Sequence, residues 1–234
     1  MRIHIIMPVI SDKMNDTIMG HLRCVASSET ELTIRTVTSG PLSIESMFDE
    51  GYCARPILEE ALKQRDKGVN GIIIYCFGNP AIEAAKEALD IPVIGIGEAS
   101  QTIGLPLSDQ FGIVTTVRNS VARNKRKTRT LGLSDKLGAV IPLDFPVVEL
   151  TNHNQELIDK ICHIIQPYVQ NQTIDLLHLG CGYLIGLADK LSNQLGIPVV
   201  DPGLAALKLM EVYVKLNLVQ SPISYMTPPE KERI

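Results

Sequence analysis

The sequence predicts an α/β fold built from two similar, doubly wound halves with mainly parallel sheets. Two observations carry that prediction. Short apolar runs alternate with helix-like segments along the 234-residue chain, the pattern of parallel sheets covered on both faces. One unit also occurs twice. Gly71-Ile72-Ile73-Ile74-Tyr75-Cys76-Phe77-Gly78-Asn79-Pro80 and Ile174-Asp175-Leu176-Leu177-His178-Leu179-Gly180-Cys181-Gly182-Tyr183 are each an apolar run ending in a cysteine beside a glycine. Each is followed by a helix-like segment and then Ile-Pro-Val, at 91–93 and 197–199. The cysteine-to-isoleucine spacing is 15 residues in one copy and 16 in the other.

Taken in order, residues 2–7 read as a first strand and residues 17–27 as a helix. Glu31 to Val37 alternates and is rich in Thr, Val and Ile, which predicts a strand. Residues 39–46 are a loop. Ala54 to Lys67 is helical, with Ile57, Leu58, Ala61 and Leu62 on one face and Gly68 as the stop. After the first cysteine, Asn79 suits a helix N-cap and Pro80 the first helical position. Glu83 then lies in the first turn, where its charge favours the helix dipole. That helix runs to about Leu89, residues 92–96 form the next strand, and Glu98 to Leu105 is a helix crossing into the second half.

The second half opens with a strand at Phe111 to Thr116. A helix from Ser120 carries Arg123, Lys125, Arg126, Lys127 and Arg129. Five positive charges in seven residues without aromatic interleaving read as a solvated helix face. Residues 139–142 form a strand, Asn154 to Val169 a helix, and Leu204 to Leu218 a closing helix. The Pro-rich stretch after Ser221 reads as a loosely attached end. The expected division is residues 1–99 with 207–234 as one α/β domain and 100–206 as the other.

Composition narrows the function classes. Net charge is −4 and hydrophobic content 45 %, so nothing favours nucleic acid or an acidic membrane surface. No apolar run approaches the roughly 18–20 residues that span a bilayer. Five widely spaced cysteines without a CxxC pair argue against a disulfide framework or a zinc site and place the chain in the reducing cytoplasm. Cys24, Cys53 and Cys162 read as small buried hydrophobes. The expected partners are a small-molecule substrate and further copies of the chain in a homo-oligomer. Nucleic acid and membrane are not expected.

Cys76 and Cys181 read differently. Each stands where a strand turns towards a helix, at the carboxyl end of a sheet where open α/β folds place ligands. They lie 105 residues apart, about one half-length, so a two-fold-like relation would set them on opposite walls of an inter-domain cleft. A helix N-terminus favours the thiolate. One thiolate and one thiol facing each other can take a proton from one side of a carbon and return it from the other. Gly78, Gly180 and Gly182 allow backbone N–H groups to approach an anionic oxygen. No metal or organic cofactor is required. Gly180-Cys181-Gly182 lacks the third glycine of a dinucleotide loop.

With these stretches on the page, the sequence resembles the aspartate/glutamate racemase superfamily, and within it the hydantoin and allantoin racemases. The matching stretches are Gly40 to Ser46 with Asp49-Glu50, Cys76 to Pro80, Pro92 to Ala99, Val114-Thr115-Thr116, Leu179-Gly180-Cys181 and Pro198 to Asp201. The resemblance covers nearly the whole chain. It implies two Rossmann-like domains related by pseudo-two-fold symmetry, with the C-terminal helix returning to the first. It implies cofactor-independent racemisation with Cys76 and Cys181 as the two bases. It places Pro8, Val9, Ser43, Thr115 and Thr116 at substrate-contact positions. The residues beside each cysteine, Phe77, Gly78, Asn79, Gly180, Gly182 and Tyr183, fall there too.

The departures narrow the substrate. Amino-acid racemases of the superfamily usually show Cys-Asn-Thr at the first thiol, and Thr followed by an acid or His near the second. Cys-Phe-Gly-Asn-Pro and Cys-Gly-Tyr-Leu stand here instead, which argues against free aspartate or glutamate. A hydantoin C5–H beside a ring carbonyl is easier to remove and needs fewer helpers. Hydantoin racemases typically open with Asn-Pro-Asn-Thr after the first strand; this chain has Met7-Pro8-Val9-Ile10, a less polar wall. His178 stands where an aliphatic residue is usual and reads as a satisfied strand histidine rather than a tuner of Cys181. The alternatives to a racemase of a 5-substituted hydantoin or allantoin-like cyclic ureide are an amino-acid racemase and a non-catalytic binder on the same fold. A relative of arylmalonate decarboxylase type would use one cysteine.

Overall fold

A computed structural model describes residues 1–147, 150 and 155–232. The elements run β1 (Arg2–Met7), α1 (Asn15–Val25), β2 (Glu31–Thr36), α2 (Met47–Asp66), β3 (Gly71–Ile74), α3 (Ile82–Ala88), β4 (Val93–Gly95) and α4 (Ile96–Gly104). The second half follows as β5 (Phe111–Thr115), α5 (Asn119–Thr130), β6 (Leu137–Pro142), α6 (Gln155–Gln170), β7 (Leu176–Leu179), α7 (Ala188–Leu195), β8 (Val199–Val200) and α8 (Pro202–Lys215). Asn154, expected to open the sixth helix, lies outside the described residues.

Two four-stranded parallel sheets result, ordered β2-β1-β3-β4 and β6-β5-β7-β8. The two orders are the same pattern repeated. Central strands are largely apolar because both faces are covered: β3 and β5 are buried at every residue. β2, at an edge, alternates between exposed and half-buried. Ile6 pairs with Ile74 across β1 and β3, and Val114 with Leu179 across β5 and β7. The chain reverses its direction of travel across each sheet between these two central strands, the place where such folds bind ligands. One buried apolar cluster includes Ile5 and Ile74 of the first sheet with Val114 and Leu179 of the second. Helix α4 touches β7 as well as α8, and α8 returns to pack on α1, β3 and β4. Among the described residues no helix is long and apolar enough to cross a membrane.

Several local expectations are corrected. Helix α2 begins at Met47, not Ala54, because Ser46 and Asp49 form a capping box: Asp49 N–H donates to Ser46 Oγ at 3.2 Å, and Ser46 N–H to Asp49 Oδ2 at 2.9 Å. Pro56 sits inside that helix, as it does in the expected span of Ala54 to Lys67. Asn79 does not cap α3. It has φ 50°, Ala81 has φ 56°, and the helix starts only at Ile82. Asn79 Oδ1 instead accepts from Gly97 N–H at 2.9 Å and Glu98 N–H at 3.3 Å, so it caps α4. Glu83 does lie in the first turn of α3.

Helix α8 starts at Pro202 because Asp201 caps it, accepting from Gly203 N–H at 2.9 Å, and it ends at Lys215. The stretch between α8 and Ser221 is anchored, while most residues after Ser221 are exposed. Gln220 Nε2 donates to the carbonyls of Lys86, Leu89 and Ile91, and the Lys86 ammonium lies 5.5 Å from the centre of the Tyr225 ring. Cys53 is buried as expected, but Cys24 is exposed and Cys162 half-buried.

The basic helix departs most from expectation. The inner face of α5 is polar: Ser120, Arg123, Asn124 and Thr128 are all buried. Arg123 and Lys127, one turn apart on the same face, turn towards α2. Only part of the positive run is solvated.

Candidate active site

The carboxyl ends of the central strands converge on one cavity of about 50 Å³. Met7, Pro8 and Val9 follow β1; Tyr75, Cys76, Phe77 and Gly78 follow β3. Thr116 follows β5, and Gly180, Cys181, Gly182 and Tyr183 follow β7. Ile44, Arg123 and Val147 close the wall. Both thiols are half-buried and reach the same space. The lining is apolar at Met7, Val9, Ile44, Phe77 and Val147 and polar at Thr116, Arg123 and the thiols.

Ten of the thirteen site residues expected from the sequence therefore line the cavity. Ser43 does not: its hydroxyl donates to Glu45 Oε1 at 3.2 Å. Its neighbour Ile44 takes the wall. Asn79 is committed to the start of α4. Thr115 is buried but faces away from the cavity, since successive strand residues point to opposite sides. Ile10, expected as part of the apolar wall, is 43 % exposed and lies outside the lining.

The local chain explains the two turns. Cys76 N–H donates to Ile74 O and Asn79 N–H to Cys76 O, both at 3.0 Å, a tight turn directly after β3. Gly180 N–H donates to Val114 O at 2.7 Å, and a Cβ at Gly180 would collide with that same carbonyl. Cys181 then leads a 3₁₀ turn, Gly182–Leu184. Tyr75 joins the halves. Its buried ring lies against Gly182 and Gly203, where an added Cβ would strike the ring or the hydroxyl, and its hydroxyl is 3.4 Å from Gly182 O. The loop at 39–46 is tied across as well, through Val147 N–H donating to Glu45 Oε1 at 3.0 Å.

The electrostatics overturn one expectation. Neither thiol gains a full helix N-terminus, and burial dominates both. Burial raises Cys76; Arg123 and Lys127 pull it back, while Glu50 adds to the rise. Burial pushes Cys181 up to about 12, against the Tyr183 N–H and Arg123, which favour its thiolate. Burial thus disfavours the thiolate at both positions, while Arg123, the Gly78 N–H and Lys127 favour it at Cys76.

Behind Cys76 stands an ion group that the sequence did not reveal. Glu50, on α2, is 3.0 Å from Lys127 Nζ and 3.6 Å from Arg123 Nη1. Its Oε1 lies where a Cβ on Gly78 would be, which explains why glycine follows the first thiol by two. The signal was present as Arg123 and Lys127 one helical turn apart, but nothing local to α5 distinguished them from Lys125 or Arg129. His178 is a strand histidine as expected. It meets Ser100 Oγ through Nδ1 at 2.8 Å and the edge of Phe111 at a centroid distance of 4.9 Å. Burial lowers its pKa to about 3, and it lies outside the cavity lining.

Comparison with known proteins agrees with this architecture. The chain is 28 % identical to the hydantoin racemase of Pseudomonas sp. (strain NS671) over 232 residues, covering 99 % of this chain and 93 % of that protein. It is 28 % identical to the hydantoin racemase of Paenarthrobacter aurescens, covering 99 % of both. The solved allantoin racemase from Klebsiella pneumoniae superposes with a TM-score of 0.93 at 31 % identity, covering 100 % of this chain and 96 % of that one. A model of the Asp/Glu/Hydantoin racemase family matches residues 3–210. With two parallel α/β domains and relatives that are isomerases over nearly the full length, the chain belongs to the Asp/Glu/Hydantoin racemase family.

Proposed function

We propose that the protein racemises a 5-substituted hydantoin or a similar, allantoin-like cyclic ureide, without a cofactor, by proton transfer between Cys76 and Cys181. One observation carries this reading: the two repeat-related thiols line one small cavity between the sheets. The names of the relatives support the substrate class, and the apolar wall at Met7 and Val9 suits an apolar C5 substituent. One thiolate removes the C5 proton, and the thiol opposite supplies a proton to the other face. Thr116 and the backbone N–H groups beside the thiols hold the ring.

The test is proton exchange in deuterated water with enantiopure hydantoins, allantoin, aspartate and glutamate, following optical rotation and the α-proton NMR signal together. Loss of rotation with deuterium uptake on a cyclic ureide is the expected result. The same result on aspartate or glutamate alone would replace the substrate class. Exchange without loss of rotation would leave a one-sided reaction, and no exchange on any compound would leave a binder.

The pH dependence follows from the burial of both thiols. Catalysis needs one thiolate, and burial raises the first ionisation of the pair. Raising a thiol pKa lowers the thiolate fraction at neutral pH, so kcat/KM is expected to climb about tenfold per pH unit from neutrality to beyond the ordinary cysteine value of ~8.5. A profile that is flat from about pH 6 to 9 would contradict thiolate catalysis.

A further inference from the structure

Two-thiol proton transfer gives one charged group of the cavity no contact with the substrate. Arg123 lines the cavity and is only 5 % exposed. Its Nη2 donates to Ser120 Oγ at 3.0 Å. Its Nη1 is 3.6 Å from Glu50 Oε1, close enough for attraction but too long for a hydrogen bond. Nε and Nη1 have no hydrogen-bond partner in the protein. Buried donors left in that state are costly, so they suit a ligand that accepts from them. The charge balance agrees. Glu50 faces both Arg123 and Lys127, one carboxylate for two cations, which leaves a surplus of positive charge beside Cys76.

The proposed reaction generates an oxygen anion. When a thiolate takes the proton from C5, the electron pair of the C–H bond moves into the ring and an adjacent carbonyl becomes an enolate. When the opposite thiol gives its proton to C5, the pair returns to carbon and the carbonyl reforms. The two sulfurs have then exchanged protonation states, and no oxidant or further reactant takes part.

We infer that Arg123 is a further catalytic residue, whose charge and a free N–H donor, Nε–H or Nη1–H, bind the ring oxygen of the substrate as it becomes an enolate. This rests on reading the site as that of a cyclic-ureide racemase. Glu50 is a positioning residue: it holds Arg123 and Lys127 together and is seated by the missing side chain of Gly78. A fixed cation with an unpartnered N–H donor suits an oxygen whose charge grows during the step.

Barbiturate is the probe. It is a planar cyclic ureide already ionised at neutral pH, and so carries the enolate charge without losing a proton to a thiol. Calorimetric titration of the whole protein is expected to show barbiturate binding at least ~10-fold more tightly than neutral hydantoin. Arg123→Gln should remove that preference while the hydantoin Kd changes by less than about threefold. The same variant should lose on the order of 10²-fold in kcat for C5–H exchange with little change in KM. Arg123→Lys, which keeps the charge but not the position of the guanidinium donors, should lose at least about threefold of the preference.

No barbiturate preference in the wild type would overturn the inference. So would a preference that survives in Arg123→Gln, since a kcat loss would then mean that Arg123 acts only through the thiols. Should Arg123→Gln not fold, a folded Arg123→Lys that keeps the full preference overturns the inference, and one that loses it supports it. Barbiturate binding through Arg123 without exchange on any hydantoin would sink the racemase reading and leave the anion site standing. Exchange with no response to barbiturate would sink the Arg123 inference alone.

Discussion

Replacing either Cys76 or Cys181 by serine is expected to lower the rate of racemisation by on the order of 10²–10⁴-fold. A hydroxyl holds its proton far more tightly than a thiol, and each inversion uses both sulfurs. The two variants should not behave alike on the two enantiomers. With Cys76→Ser, the Cys181 thiolate can still take a proton from its own face and return one to the same face. One enantiomer then exchanges its C5 proton for deuterium without losing rotation, while the other does neither. Cys181→Ser should show the reverse preference. Following rotation and deuterium uptake on each pure enantiomer therefore assigns each sulfur to a face. Serine is nearly isosteric with cysteine and both thiols are half-buried, so the urea midpoint should barely move. Retention of more than about a third of the wild-type rate by either variant would end the two-base reading.

Glu50→Gln is expected to destabilise the fold by ~3 kcal/mol, the low end of the cost of breaking a buried ion pair. Glu50 and Arg123 are 6 % and 5 % exposed, and removing the carboxylate leaves two cations facing one another at the back of the site. Lys127 is about one quarter exposed, so solvent relieves part of that repulsion. The double variant Glu50→Gln with Arg123→Gln should be less destabilised than the sum of the single changes, because the unpaired charge goes with its partner. Urea unfolding at constant m-value measures both. A single-variant loss below about 1 kcal/mol would mean that the group is effectively solvated and that Glu50 does not fix Arg123.

Much of this candidate site was legible in the sequence because ten of its lining residues lie in or beside short local motifs, chiefly the two copies of one unit. Cys76 and Cys181 each end an apolar strand, and a glycine near each thiol marks a close approach: Gly78 by the Glu50 carboxylate, Gly180 by the Val114 carbonyl. The misreadings share one cause, which is that a polar side chain can reach a partner distant in sequence. Asn79 has the local context of a helix cap and does cap a helix, but it is α4 rather than α3. Ser43 has the position of a ligand group but is taken by Glu45. The polar inner face of α5 offered no apolar stripe, so hydrophobic periodicity could not tell its buried side from its wet one.

The sequence by itself determined the two-fold repetition, the parallel strands, the family resemblance and the two thiols. These depend on the period of apolar residues and on the geometry of single turns. The tertiary structure alone decided that Arg123 and Lys127 share Glu50, that Tyr75 bridges the halves, and that burial rather than a helix dipole governs both thiols. Pairing energies and desolvation depend on distances between atoms of different elements, and a linear pattern does not record where α5 meets α2 or how deeply a strand end is covered.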